Sequence, residues 1–86
     1  MSRILDRPLI LRCDLEGRPA AFRWQGRWRG VEELLDEWVY RRPWWEEAGQ
    51  EAPAERTFYR VRTRDGGVCE LALAADGRAW LYREFD

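Results

Sequence analysis

Apolar and polar residues alternate along most of this chain, and the alternation is interrupted at a few turns that carry Gly or Pro. Over 9–14, Leu9, Leu11 and Cys13 fall on one side and Ile10, Arg12 and Asp14 on the other. A period of two is the signature of a half-buried strand. Glu16-Gly17-Arg18-Pro19 supplies turn chemistry, because Gly takes up positive φ and Pro fixes φ. A second strand follows over 20–24, and Gln25-Gly26 reads as a tight hairpin loop into Arg27-Trp28-Arg29. Residues 1–8 precede these elements as a lead-in closed by Pro8.

The last third has the clearest pattern. Over 57–64, Tyr59, Val61 and Thr63 alternate with Phe58, Arg60, Arg62 and Arg64. Asp65-Gly66-Gly67 is a hairpin turn, 68–74 a strand with Cys69, Leu71 and Leu73 on one face, Asp76-Gly77 a second turn, and 79–85 the closing strand. These elements form a three-stranded antiparallel meander.

Residues 31–40 read differently. Val31, Leu34, Leu35 and Trp38 have i, i+3, i+4, i+7 spacing, with Glu32, Glu33, Asp36 and Glu37 on the opposite face. This spacing predicts a short helix over 31–40, its first-turn acids matched to the macrodipole; a bent strand is the alternative. Pro43 ends the element, Trp44-Trp45 follows, and 48–56 is a polar connection without periodicity. About six strands so closely spaced predict a mainly β fold, a small antiparallel barrel or strongly coiled sheet. Connections too short for crossover helices exclude a parallel α/β arrangement. The domain is expected to span 9–86, with 48–56 as its polar loop.

Composition adds two constraints. At 86 residues the chain holds one domain with a thin core, and 6 Trp, 3 Tyr and 3 Phe help to fill that core or cover a binding surface. All 15 basic residues are Arg, which a coding bias explains more readily than a need for planar, fork-like donors. The net charge of −1 conceals a split: 31–55 holds eight acids and two Arg, the rest thirteen Arg and eight acids. Such asymmetry orients a partner, or reflects one solvated acidic segment. The charged N-terminus lacks an apolar stretch of signal-peptide type and no apolar run reaches a membrane span, so a cytoplasmic protein is expected, with no membrane partner. In that compartment Cys13 and Cys69 are expected as buried, reduced thiols that react slowly.

Candidate chemistry is sparse. The only Ser is Ser2, and there is no Lys or His to activate a nucleophile. Two separated Cys without His make no zinc set, and Gly66-Gly67 lacks the following Lys-Ser/Thr of a phosphate loop. Glu46 and Glu47, or Glu32 and Asp36, are acids that a chain this charged brings together by composition alone. No catalytic residue, cofactor or metal is expected. Two groups point to binding instead. Arg60, Arg62 and Arg64 share one side of a strand, about 7 Å apart. They either track an anionic partner or form a solvated face paired with cross-strand acids such as Glu70 and Glu84. Trp44 and Trp45 are adjacent in an extended segment, so one can enter the core while the other lies at the surface.

Trp44-Trp45, Phe58-Tyr59-Arg60-Val61, Asp65-Gly66-Gly67, Gly77-Arg78-Ala79-Trp80-Leu81 and the terminal Phe85-Asp86 together make a layout. Over 44–86 it resembles the C-terminal segment of the Y-family-polymerase-like subunit of the bacterial inducible mutagenesis complex. It is also similar to small stand-alone bacterial proteins of the same layout. The resemblance implies a segment outside the polymerase core that serves assembly with other proteins, and it carries over no catalytic residue. The sequence therefore leads to a non-enzymatic protein-interaction module associated with DNA-damage tolerance. Its alternative is a small barrel that binds nucleic acid through an Arg strand face and exposed Trp.

Overall fold

The computed structural model describes the backbone of residues 2–41 and 55–85 and the side chains of residues 7–41 and 55–85. Every regular element among them is a strand: β1 (Ser2–Cys13), β2 (Pro19–Trp24), β3 (Arg27–Arg41), β4 (Glu55–Thr63), β5 (Val68–Ala74) and β6 (Ala79–Phe85). They close into an antiparallel barrel in chain order, β6 pairing back onto β1. The mainly β, six-stranded barrel expected from the alternation is the fold observed, and the C-terminal meander is its β4–β5–β6 portion.

Closure depends on two long strands that serve two sheets each. β1 pairs with β6 from Ser2 to Leu9 and with β2 from Ile10 to Cys13. β3 pairs with β2 up to Gly30 and with β4 from Val31 to Arg41. The barrel is thus a small sheet (10–13, 19–24 and 27–30) bent against a large one (2–9, 31–41, β4, β5 and β6). Residues 2–8, read from the sequence as a lead-in, are the first half of β1. Pro8 is tolerated there because β2 joins only from Ile10, so its missing N–H costs no second ladder.

The helix expected over 31–40 is not formed; the segment lies within β3. Register shifts between Val31 and Glu33 and between Leu34 and Asp36 each admit one extra residue opposite β4. Val31, Leu34 and Glu37 therefore face Thr63, Val61 and Tyr59, all from the inner side of β4. Two successive bulges turn a period of two into a period of three, and that mimics a helical stripe.

Inside the barrel, Phe22, Tyr59, Val61, Cys69, Leu71 and Leu81 form the buried cluster, with Leu9, Leu11, Trp24, Val31, Leu34 and Leu73 packed around it. Gln25 and Gly26 both take positive φ, 53° and 79°. That is the primed turn a two-residue hairpin needs to match strand twist, and it lets β2 fold back onto β3.

Candidate functional site

The two tryptophans Trp44 and Trp45 lie outside the described residues, as does most of the polar loop 48–56. The other candidates, Arg60, Arg62 and Arg64, share the outer side of the barrel, but their surroundings change along the row. Arg60 donates from Nε and Nη2 to Oε2 of Glu70 at 3.0 and 2.8 Å. Arg62 Nη1 reaches Glu33 Oε1 at 2.6 Å. Arg64 makes no ion pair among the described residues; its backbone N–H donates to Gly30 O at 3.0 Å and its side chain lies over Gly30. A Cβ at Gly30 would come within 2.9 Å of Arg64 Cδ. The cross-strand pairing expected for the row thus holds for Glu70. Glu84 does not take part: it stands opposite Cys69 and approaches Arg29 instead.

Around Arg60 the outer face of the large sheet is a second packed layer. Trp38 stacks on Phe58 at 5.6 Å between centroids, and Tyr82 meets Phe58 edge-on at 5.0 Å. Phe58 and Ala72 are buried although they point away from the barrel interior. Glu70, 2% exposed, sits between Arg60 and Arg83, whose Nε is 3.7 Å from its Oε1. The guanidinium of Arg60 also lies over Trp38 and Phe85. Close to Arg60, charge and aromatic surface are engaged internally, whereas Tyr40 at the far end of β3 is 51% exposed.

The outer face of the small sheet is the opposite case. Register aligns Ile10, Arg23 and Trp28 in one cross-strand row and Arg12, Ala21 and Gly30 in the next. Arg64 continues the second row through its bond to Gly30. Ile10 is 56% and Trp28 47% exposed. Arg12 reaches diagonally across Ala21, a residue too small to block it, to place its guanidinium 4.9 Å from the Trp28 ring centre. Arg12, Arg23 and Arg64 have no carboxylate partner among the described residues. Asp14, two residues from Arg12, is held in the β1–β2 turn, accepting the backbone N–H groups of Glu16 and Arg18 at 2.9 and 3.0 Å, and Asp65, next to Arg64, is engaged by Arg29 and Thr63. The alternation over 9–14 and 20–24 already set Arg12 and Arg23 on outer positions. What singled them out was missing from the sequence reading, which followed the denser Arg row of β4.

One end of the barrel gathers a further polar cluster. Arg29 points inward above Phe22, its guanidinium 5.4 Å from that ring. It binds Asp65 through Nε at 3.3 Å and lies 3.7 Å from Glu84. The Thr63 hydroxyl donates to Asp65, and Gly67 N–H donates to Thr63 Oγ1 at 3.0 Å. The Thr63 and Arg29 hydrogen bonds, with one from the backbone of Gly67, hold the Asp65 carboxyl down at about 2. These groups, with Arg7, Trp24 and Arg27, border an open cleft of about 470 Å³. Arg29 pairs with both acids at this end.

The thiols divide. Cys69 is buried among the core residues, and burial pushes its pKa up to about 12. Cys13 is exposed, contrary to the buried thiol expected. It ends β1 just past a register shift, where it pairs with Pro19 beyond the end of the core. Desolvation, then Asp14, raises its pKa, so it is accessible without being activated. Among the described residues no group of three or more His, Cys, Asp or Glu is placed to hold a metal, and no helix is long and apolar enough to cross a membrane.

No curated protein and no solved structure matches the chain. Residues 6–86 match a family model described as a domain of unknown function, DUF6504, and the chain belongs to that family.

Proposed function

We propose that this domain is a non-enzymatic interaction module that holds an anionic partner on the outer face of its small sheet. One observation carries the reading: Arg12, Arg23 and Arg64 surround an exposed Trp28 with no carboxylate partner among the described residues. Exposed aromatics and arginines are the residue types that dominate binding surfaces. The likeness of residues 44–86 to the assembly segment of the mutagenesis-complex subunit supports DNA-damage tolerance as the setting.

Retention on immobilised heparin tests the surface. A protein of net charge −1 should bind weakly or not at all unless its cations are concentrated on one face. We expect retention by the native protein and its loss in Arg12→Ala/Arg23→Ala. Arg62→Ala, whose cation is already matched by Glu33, should keep it. Equal elution of both variants would remove the small sheet as the binding surface.

A further inference from the structure

We infer that the anionic partner of the small sheet is single-stranded nucleic acid, held by its phosphates on Arg12, Arg23 and Arg64 and by one base stacked at Trp28. The inference rests on the binding-module reading above and adds the chemistry of the occupant.

Three features of the face select that chemistry. First, the cations span the sheet rather than cluster at a point. Arg12, Ala21, Gly30 and Arg64 lie on four successive strand positions, a width of about 14 Å at the usual strand spacing. Ala21 and Gly30, in the middle, are small, and the side chains of Arg12 and Arg64 lie across them. Second, the face offers π surface. Trp28 is half-exposed and Arg12 lies across its ring. A base can stack on the indole or on the guanidinium plane itself, and unpaired bases use both kinds of surface. Third, the centre of the face has no open backbone edge. β2 is paired on one side with β1 and on the other with β3, so a peptide cannot add a strand there. Recognition falls to side chains alone, and those are guanidinium forks that fit phosphate and an aromatic plate. A duplex buries its bases and cannot use the plate.

The domain's net charge of −1 does not by itself oppose this, because four of its 16 acids lie on the part of β3 that has left the small sheet. Glu32, Glu33, Asp36 and Glu37 follow the point where β3 leaves β2 for β4. The change of sign along β3 favours approach of a polyanion from its small-sheet end.

Fluorescence anisotropy with a labelled oligothymidylate of about 12 nucleotides tests the proposal, with a duplex of equal length and an oligoglutamate peptide as parallel probes. The oligothymidylate should bind and the duplex bind more weakly. With three phosphate contacts, log K should fall with log salt at a slope of about −2. Trp28→Ala should weaken binding roughly 5- to 150-fold, and Trp28→Phe should restore most of the loss. Arg64→Ala should reduce the salt slope by about 0.7, while Arg62→Ala leaves it unchanged. Circular dichroism of each variant separates lost binding from lost fold. Binding of oligoglutamate with none of oligothymidylate overturns the nucleic-acid inference and leaves the interaction module standing. Binding of neither probe overturns both. Oligothymidylate binding that survives Trp28→Ala and Arg12→Ala/Arg23→Ala unchanged places the site elsewhere and overturns the inference too.

Discussion

The two outer faces of this barrel are built from the same residue types and put them to opposite use. On the large sheet, Trp38, Phe58 and Tyr82 stack on one another, and Arg60 and Arg83 close on Glu70. On the small sheet, Trp28 and Ile10 stay open to solvent, and Arg12, Arg23 and Arg64 meet no acid among the described residues. An Arg or Trp on an outer strand position is therefore not in itself a sign of function. What distinguishes the faces is whether a cross-strand neighbour completes it. For Arg60 that neighbour is Glu70; for Arg23 the neighbours are Ile10 and Trp28.

The strongest way to break the comparison is to remove the centre of the large-sheet layer. Phe58 points outward yet is only 7% exposed. If the layer is a second core, Phe58→Ala should cost about 3–5 kcal/mol, the range for buried aromatic truncations. Urea unfolding measures it. A loss below about 1 kcal/mol, the size of an ordinary surface change, would mean that the aromatic layer only decorates the sheet.

Glu70 comes next. Its carboxylate is nearly buried between two arginines, but those arginines are 42% and 31% exposed. Solvent reaches the cations, so removing the acid strands them less than a fully buried pair would be stranded. Glu70→Gln should destabilise by about 1–3 kcal/mol, and adding Arg83→Leu should recover part of that loss. Full additivity of the two changes would show that Glu70 and Arg83 do not interact.

A smaller effect sits at the Arg29 end of the barrel. The Asp65 carboxyl titrates at about 2 in the fold, below its usual 3.8. A depressed carboxylate adds stability above its ordinary pKa and loses it as the acid form takes over. The contribution is complete above about pH 4 and disappears as pH falls toward 2. Asp76 is also lowered, by the backbone and side chain of Arg78, and acts in the same direction. Asp65→Asn should therefore flatten, without abolishing, the fall in urea midpoint between pH 4 and 2. An unchanged acid limb would show that Asp65 keeps the same pKa when the chain unfolds.

How much of this was legible depends on how local the signal is. The meander was readable because its turns carry Gly and its strands alternate over most of their length, with one register shift between β5 and β6. β3 was not, because its two bulges repeat the inner position every third residue, and a bulge is fixed by the neighbouring strand rather than by the bulged sequence. Cys13 was expected to be buried with Leu9 and Leu11 and is exposed, because a register shift after Arg12 interrupts the alternation that grouped it with them. Phe58 looked like part of a solvated Arg face because its cover, Trp38 and Tyr82, comes from two other strands. The candidate site was only half visible. Arg64 was read from β4, but its neighbours Arg12, Arg23 and Trp28 join it through the register of β1, β2 and β3, which alternation alone cannot supply.

The smallest stability effects are expected where binding is proposed. Arg12, Arg23 and Trp28 are exposed, and truncating any one of them removes no buried contact. The closest interaction among them is the Arg12 guanidinium over Trp28 at 4.9 Å, which at an exposed site contributes about 0.5–1 kcal/mol. Arg12→Ala and Trp28→Ala should each cost no more than that, and a double-mutant cycle should return most of it as coupling. Arg23→Ala should fall within about 0.5 kcal/mol. Gly30→Ala sharpens the contrast, because its new Cβ meets only the flexible Arg64 side chain at 2.9 Å. Arg64 can swing aside, and an alanine suits a strand better than a glycine by roughly 0.5–1 kcal/mol, so the substitution should leave the fold as stable or slightly more so. A face selected for the barrel's own stability would behave in the reverse way. If Trp28→Ala costs as much as Phe58→Ala, the small sheet is held together by its outer residues as the large one is. Its open cations would then have no claim to a partner.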